Sequence, residues 1–372
     1  MALCAYRPRS RAAPNIRVSM KLTTALLIGV LALAGCASIG PRTVARDRFD
    51  YVESISDSWK RQMLLNLVKV RYADAPVFLD VTSVISSYEF RGELGVFGQE
   101  APAGRAGDSF IGGAANASFI DRPTITYAPL SSDKFAKALM SPFPITGVAL
   151  LLQAGYPADV VLRICANSIN GLDNRYGGRG ERSGDPKYHE LLTLLRAAQT
   201  AGDLAMYAQK QQEQQTVKVT LRSAGNAASD TRNRRIAELL ELDGSVRDFG
   251  VVYGERRLGG DEIGIQTRSM MQVLLDFGSY IEVPARDVSE GRVYVPKSNE
   301  ATDKLFPALL RVRWSDSPPD DAHVAVKYRD GWFWIDDRDH DSKAAFTFLM
   351  LLFSLTETGT TQAAPIVTVP AR

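Results

Sequence analysis

The run "AAFTFLMLLFSL", Ala344 to Leu355, is apolar around its whole helical circumference, and no Lys or Arg falls between Ala344 and Thr356. Twelve residues are too few to span a bilayer, which takes about 20, and without a basic face the segment is a poor interfacial helix. A helix of this kind has to be surrounded by protein. A helix is therefore predicted over Ser342–Thr356 at the centre of a sizeable core. The strands expected just before it, "RVRWS" and "HVAVKYRDGWFWIDD", are its nearest cover, and Asp330-Gly331 supplies a hairpin turn. Trp332 and Trp334 share a strand face, with Tyr328 expected beside them. Exposed, that row could stack on glycan rings; buried, it covers the final helix, which the apolar helix next door favours. The acidic run Asp337, Asp339, Asp341 alternates as in a calcium loop, but positions six and twelve hold Ser342 and Phe348, where such a loop needs Gly and a carboxylate. Capping of the helix dipole explains it better.

Earlier segments mix helical and strand periodicity, which gives an α+β class with antiparallel hairpins. Val52, Ile55, Trp59, Met63, Leu67 and Val70 recur at helical spacing, so a helix is predicted from Phe49 to Tyr72. "VFLDVTSVISSYEFRGEL" reads as one strand and "ANASFIDRPTITYAPL" as another. Residues 92–113, with seven glycines, read as a flexible loop. Ser131 or Ser132 is placed to cap a helix over Asp133–Met140, and Pro144 and Gly155 bracket the next. Pro157 opens a helix carrying Val161, Ile164, Cys165, Ser168 and Leu172. Asp185, Pro186 and Gly202 frame a helix over 186–201. "DLAMYAQKQQEQQTVKVTLRS" alternates as a hairpin, helices follow over Asp230–Leu242 and Thr267–Tyr280, and a strand falls at Phe249–Tyr253. The expected organisation is a signal peptide over 1–35, a tether over 36–48, α+β regions over 49–175 and 186–358 separated at the Gly-rich stretch Asn174–Asp185, and a disordered tail over 359–372.

A second apolar run sets the address. After Lys21, Leu22–Ala32 form an apolar stretch, and "LAGC" leads through small residues to Cys36. This layout of an export signal resembles the lipobox of bacterial lipoprotein precursors. The resemblance implies cleavage before Cys36, acylation of its sulfur and amine, and anchoring by two or three acyl chains. The other reading is an uncleaved anchor, since Leu22 to Gly40 is free of charge for 19 residues. The 19 residues before Met20 suit such a signal poorly, so translation is expected to begin at Met20. Ala37, where Asp would retain the protein at the inner membrane, resembles lipoproteins forwarded to the outer membrane, facing the periplasm.

Composition then reads differently. Without the five basic side chains of residues 1–35, the 44 Lys and Arg fall to 39 against 42 Asp and Glu, turning a balance of +2 into −3. A nucleic-acid partner is not expected, because phosphate binding needs clustered cations. Cys165 remains as the lone unmodified thiol, read as buried and inert in preference to a nucleophile or an intermolecular disulfide.

"GDSF", Gly107–Phe110, resembles the nucleophile block of GDSL-type hydrolases, which implies Ser109 as nucleophile with a D-x-x-H pair at Asp320 and His323, or at Asp337 and His340. The context argues against it: no strand precedes Ser109 and no helix follows. No metal or cofactor set is expected, since no two of the three histidines lie within four residues. "RYADAPVFLDV", "RPTITYAPLSSDKF" and the "GWFWIDD" region resemble uncharacterised proteobacterial envelope proteins, which implies a compartment and no activity. The expected role is non-catalytic binding or scaffolding with an envelope protein partner, on a membrane reached through the lipid anchor; the alternative is a GDSL-like envelope hydrolase.

Overall fold

The computed structural model describes residues 40–85, 88–99, 110–121, 124–130, 133–211, 214–223, 225–254, 259–297 and 300–356. Cys36, Ser109, the caps expected at Ser131 or Ser132 and the tail over 359–372 lie outside the described residues. The chain divides into two compact units, one of residues 1–54 and 86–123, the other of residues 55–85 and 124–372.

In the first unit lie the opening turns of helix α1 (Gly40–Arg71) and the antiparallel pair β2 (Tyr88–Gln99) and β3 (Phe110–Asp121). Both differ from expectation. Residues 40–48 are helical, where a tether was expected. Pro41 stands in the first turn, where the N–H it lacks has no partner within the helix. Much of the glycine-rich stretch is strand, its glycines taken into a continuous antiparallel ladder. Gly92 faces Ala117, Gly95 faces Ala114, and Phe97 faces Gly112.

The second unit is an α+β body. Its strands β1 (Leu79–Ile85) and β4 (Thr124–Pro129) pair antiparallel, so the single strand expected after Pro76 is in fact two, β1 and β2. Helices α2 (Asp133–Met140), α3 (Ile145–Gln153) and α4 (Ala158–Cys165) follow. Strands β5 (Ala166–Ile169), β6 (Leu172–Asp173), β7 (Leu204–Gln211), β8 (Gln214–Leu221), β9 (Asp248–Tyr253) and β10 (Glu262–Thr267) make a six-stranded sheet in the order β6-β5-β10-β9-β8-β7, with helices α5 (Pro186–Ala201) and α6 (Ala227–Leu239) between its strands in the chain. Only the β9–β10 pair is parallel. Strands from both sides of residues 174–185, the expected boundary, share this sheet. Helix α4 stops at Cys165 instead of running on to Leu172. Buried Asn174 donates Nδ2 to the carbonyls of Arg163 at 2.8 Å and Ala166 at 2.7 Å, and the Cys165 carbonyl accepts from the Arg268 N–H at 2.7 Å. The carbonyls at the helix end are thus satisfied without another turn.

Helices α7 (Met270–Ser279), α8 (Ala285–Ser289) and α9 (Glu300–Leu305) precede the sheet β11 (Arg313–Ser315), β12 (Ala322–Tyr328), β13 (Gly331–Asp336), ordered β11-β13-β12. Its hairpin packs on helix α10 (His340–Thr356). Val324, Val326, Phe333 and Ile335 form the buried face of the hairpin, and Phe346, Leu349 and Leu352 of α10 are at most 1% exposed. The expected cover is therefore corrected in detail. Trp332 and Trp334 alternate with Phe333 and Ile335 and are only half-buried. Tyr328 pairs with Gly331, in step with the core residues and opposite to the two tryptophans. The hairpin loop is Arg329-Asp330, one residue earlier than expected, and Arg329 takes the positive φ of 52°. Gly331 serves close approach, since a Cβ there would lie 2.2 Å from Nε1 of Trp314. Asp339 caps α10 as predicted, accepting from the Ser342 N–H at 3.1 Å and its hydroxyl at 2.8 Å.

Candidate functional site

An apolar cavity of about 550 Å³ lies between α2, α3 and the last turns of α10. "SPFPITG" builds one wall. The two prolines, Pro142 and Pro144, keep the chain extended between α2 and α3, and Phe143 between them is tied down at both backbone groups. Its N–H donates to the Arg268 carbonyl at 2.8 Å, and its carbonyl accepts from Thr267 Oγ1 at 2.7 Å. That wall is fixed to the end of β10. Leu352 and Leu355 of α10 and Val148 and Leu151 of α3 line the cavity as well. Leu150, 57% exposed, and Leu355, 40% exposed, carry apolar surface out to the rim.

Chemically the cavity wall is mostly apolar. The polar side chains on its wall are neutral: Ser141, Thr146, Gln153 and Thr356. Among the described residues that line it there is no carboxylate, imidazole, ammonium or guanidinium, so neither Ser141 nor Cys165 has a base within the wall to activate it. Cys165 adds its thiol to the wall while being 1% exposed, and burial pushes that thiol up to about 12. It is inert as a nucleophile at neutral pH. The size and apolar lining match the general character of small-molecule sites.

The residues singled out for hydrolysis stand elsewhere. Asp320 is exposed in the loop before β12. His323 sits half-buried on β12, where its ring meets Phe346 edge-on at 6.5 Å and its Nδ1 lies 3.7 Å from Oδ1 of Asp337. The carboxylate within ion-pair distance of this imidazole is thus Asp337. Burial, with Lys60 and Lys343 nearby, holds His323 below its ordinary pKa against the opposing pull of Asp337 and Asp57. Asp337 in turn accepts from Lys343 Nζ at 2.8 Å. His340 is exposed at the start of α10.

Sequence reasoning did not find the cavity, although one of its signals was present. "PFP" followed by the uncharged helix "ITGVALLLQ" places apolar residues on more faces than one neighbour can cover. No helix among the described residues is long and apolar enough to cross a membrane. The architecture defines the class, an α+β body. Compared with known protein families, curated proteins and solved structures, the chain finds no match.

Proposed function

We propose that this chain is a lipid-anchored protein of the bacterial envelope, held by Cys36 at the outer membrane and facing the periplasm, that works by non-catalytic binding. The observation that supports binding is the apolar cavity between α2, α3 and α10, with no side chain charged at neutral pH on its wall and with its tied-down "PFP" segment. An apolar group entering it gains roughly 25 cal/mol per Å² of surface removed from water. The address rests on "LAGC" and the apolar run before it.

The test is titration of the full chain with an environment-sensitive apolar dye, N-phenylnaphthylamine, beside the variant Ala138→Trp, which fills the cavity with an indole. Saturable binding in the unaltered chain that weakens about tenfold or more in the variant, at unchanged melting temperature, is expected for a loss of about 1.4 kcal/mol of contact. Equal binding by both chains would remove the cavity from the reading.

A further inference from the structure

A second concavity, of about 210 Å³, lies against the Arg329 hairpin loop and differs in kind. Its walls are aromatic. Tyr72 at the end of α1 and Tyr328 of β12 stand with ring centroids 5.4 Å apart, and Phe333 meets Tyr72 edge-on at 6.1 Å. Trp314 is held in the same lining by the missing Cβ of Gly331. Behind the rings lies Asp287, 4% exposed, whose Oδ2 accepts from the Tyr72 hydroxyl at 2.6 Å. Its Oδ1 makes no hydrogen bond and has Arg292 Nε at 3.7 Å and Arg286 Nε at 3.9 Å.

The two rings touch each other, and the chain itself covers their open faces. The Arg329 guanidinium carbon lies 4.3 Å from the centroid of Tyr72 and 5.6 Å from that of Tyr328. Among the described residues no carboxylate stands within ion-pair distance of it, although Asp330 beside it pairs with Arg286 at 3.1 Å. Ring faces alone hold it, and they attract any cation by the same quadrupole. The tether is a two-residue loop with the backbone of Arg329 in a region that favours glycine. If Arg329 swings out, the lining keeps Arg286 against Asp287, Asp316 and Asp330, a balance that favours a replacement cation.

We propose that the Tyr72–Tyr328 cage is a recognition site for a small soluble organic cation, for which choline is the probe, kept covered in the free protein by Arg329, which the ligand displaces. The cage offers ring faces together with the exposed carboxylates of Asp316 and Asp330 in its lining, which suits an organic cation. Asp287 Oδ2 is committed to Tyr72, and Oδ1 is sealed from solvent. This site is independent of the apolar cavity and of the binding reading built on it.

The experiment is calorimetric titration of the full chain in nonionic detergent with choline and with its neutral isostere 3,3-dimethylbutan-1-ol. Salt is kept at about 0.5 M so that the Debye length is short and general charge effects are small. Removing the tethered competitor in Arg329→Gly, a substitution suited to the positive φ, is expected to tighten choline binding about fivefold or more, because the cage is then open all the time. The isostere is expected not to bind. Tyr328→Leu in the Arg329→Gly background is expected to weaken choline about tenfold. Equal affinity of the unaltered chain and Arg329→Gly for choline, an isostere that binds as well as choline, or full affinity without the Tyr328 ring would each overturn the proposal.

Discussion

Arg268 carries a charge where 1% of its surface meets water, a position that costs several kcal/mol unless it is paired and fully hydrogen-bonded. Its Nη1 donates to Asp276 Oδ2 at 2.9 Å, its Nη2 to the Arg175 carbonyl and its Nε to Asn167 Oδ1 at 3.3 Å, while its guanidinium lies 5.6 Å from the centroid of Tyr176. Asp276 spends its other oxygen on the Gly177 N–H at 2.6 Å. One ion pair thus fastens the loop after β6 to α7. Arg268→Met is expected to destabilise the fold by roughly 3–5 kcal/mol, since Asp276 stays buried without its partner. Replacing both, as Arg268→Met with Asp276→Leu, is expected to recover part of that loss. Urea unfolding of the two variants checks this; a double variant no more stable than the single one would show that the packing of the guanidinium, not its pairing, matters.

At the scale of single elements, what could be read in advance depended on whether the signal was local. Helix α5 was legible because its ends are written into it. Asp185 accepts from the Lys187 N–H at 2.8 Å, Pro186 follows at the first position, and Gly202 takes a φ of 76°. Asp185→Ala is expected to lower stability by about 1 kcal/mol, measurable as a shift of the urea midpoint at constant slope; a shift in slope instead would mean that the unfolding had ceased to be two-state. The β2–β3 ladder was not legible, because a strand rich in glycine is plausible only once the residue opposite each glycine is known. Strand β5 was hidden for a related reason: "ICANSINGL" satisfies helical spacing, and what ends the helix is Asn174, eight residues beyond Ala166 in the chain. Strand β10 pairs parallel with β9, and nothing local announces that. Of the candidate sites, the cavity and the cage both need residues distant in sequence, such as Tyr72 with Tyr328, which no spacing rule brings together.

His323 belongs to this scale too, since it joins β12 to the first turn of α10 through Asp337. Its pKa is held below 6.5, first by burial and then by Lys60 and Lys343. The unfolded chain therefore takes up the proton first as pH falls. The contribution of His323 is fully present above about 6.5 and is lost as pH drops from there through the lower folded value. Asp57 and Asp337 are held below 3.8, Asp57 by the Lys60 hydrogen bond and Asp337 by that of Lys343, so their contributions are present above that pH and fail only under more acid conditions. Between pH 7 and about 5 the unaltered chain is expected to lose stability more steeply than His323→Gln, with urea midpoints as the measure. Parallel slopes would mean that another group titrates there.

At the scale of the whole molecule, the proposed address and the described body make separate demands. No helix among the described residues is long and apolar enough to cross a bilayer, and the residues from 36 onward carry 39 basic against 42 acidic groups. Membrane attachment, if it occurs through Cys36, rests on acyl chains. Each buried methylene contributes about 0.8 kcal/mol, so one chain binds reversibly and two or three hold stably. Removing the thiol is then expected to abolish attachment without touching the fold. In a bacterial host that processes lipoproteins, Cys36→Ser is expected to move the protein out of the membrane fraction, while its urea midpoint stays within error of the unaltered chain. Mass spectrometry of the unaltered protein should find residues 1–35 gone and Cys36 carrying fatty acid. A Cys36→Ser chain that remains with the membranes, or a native chain with a free thiol at Cys36, would transfer attachment to some other segment and with it withdraw the outer-membrane address.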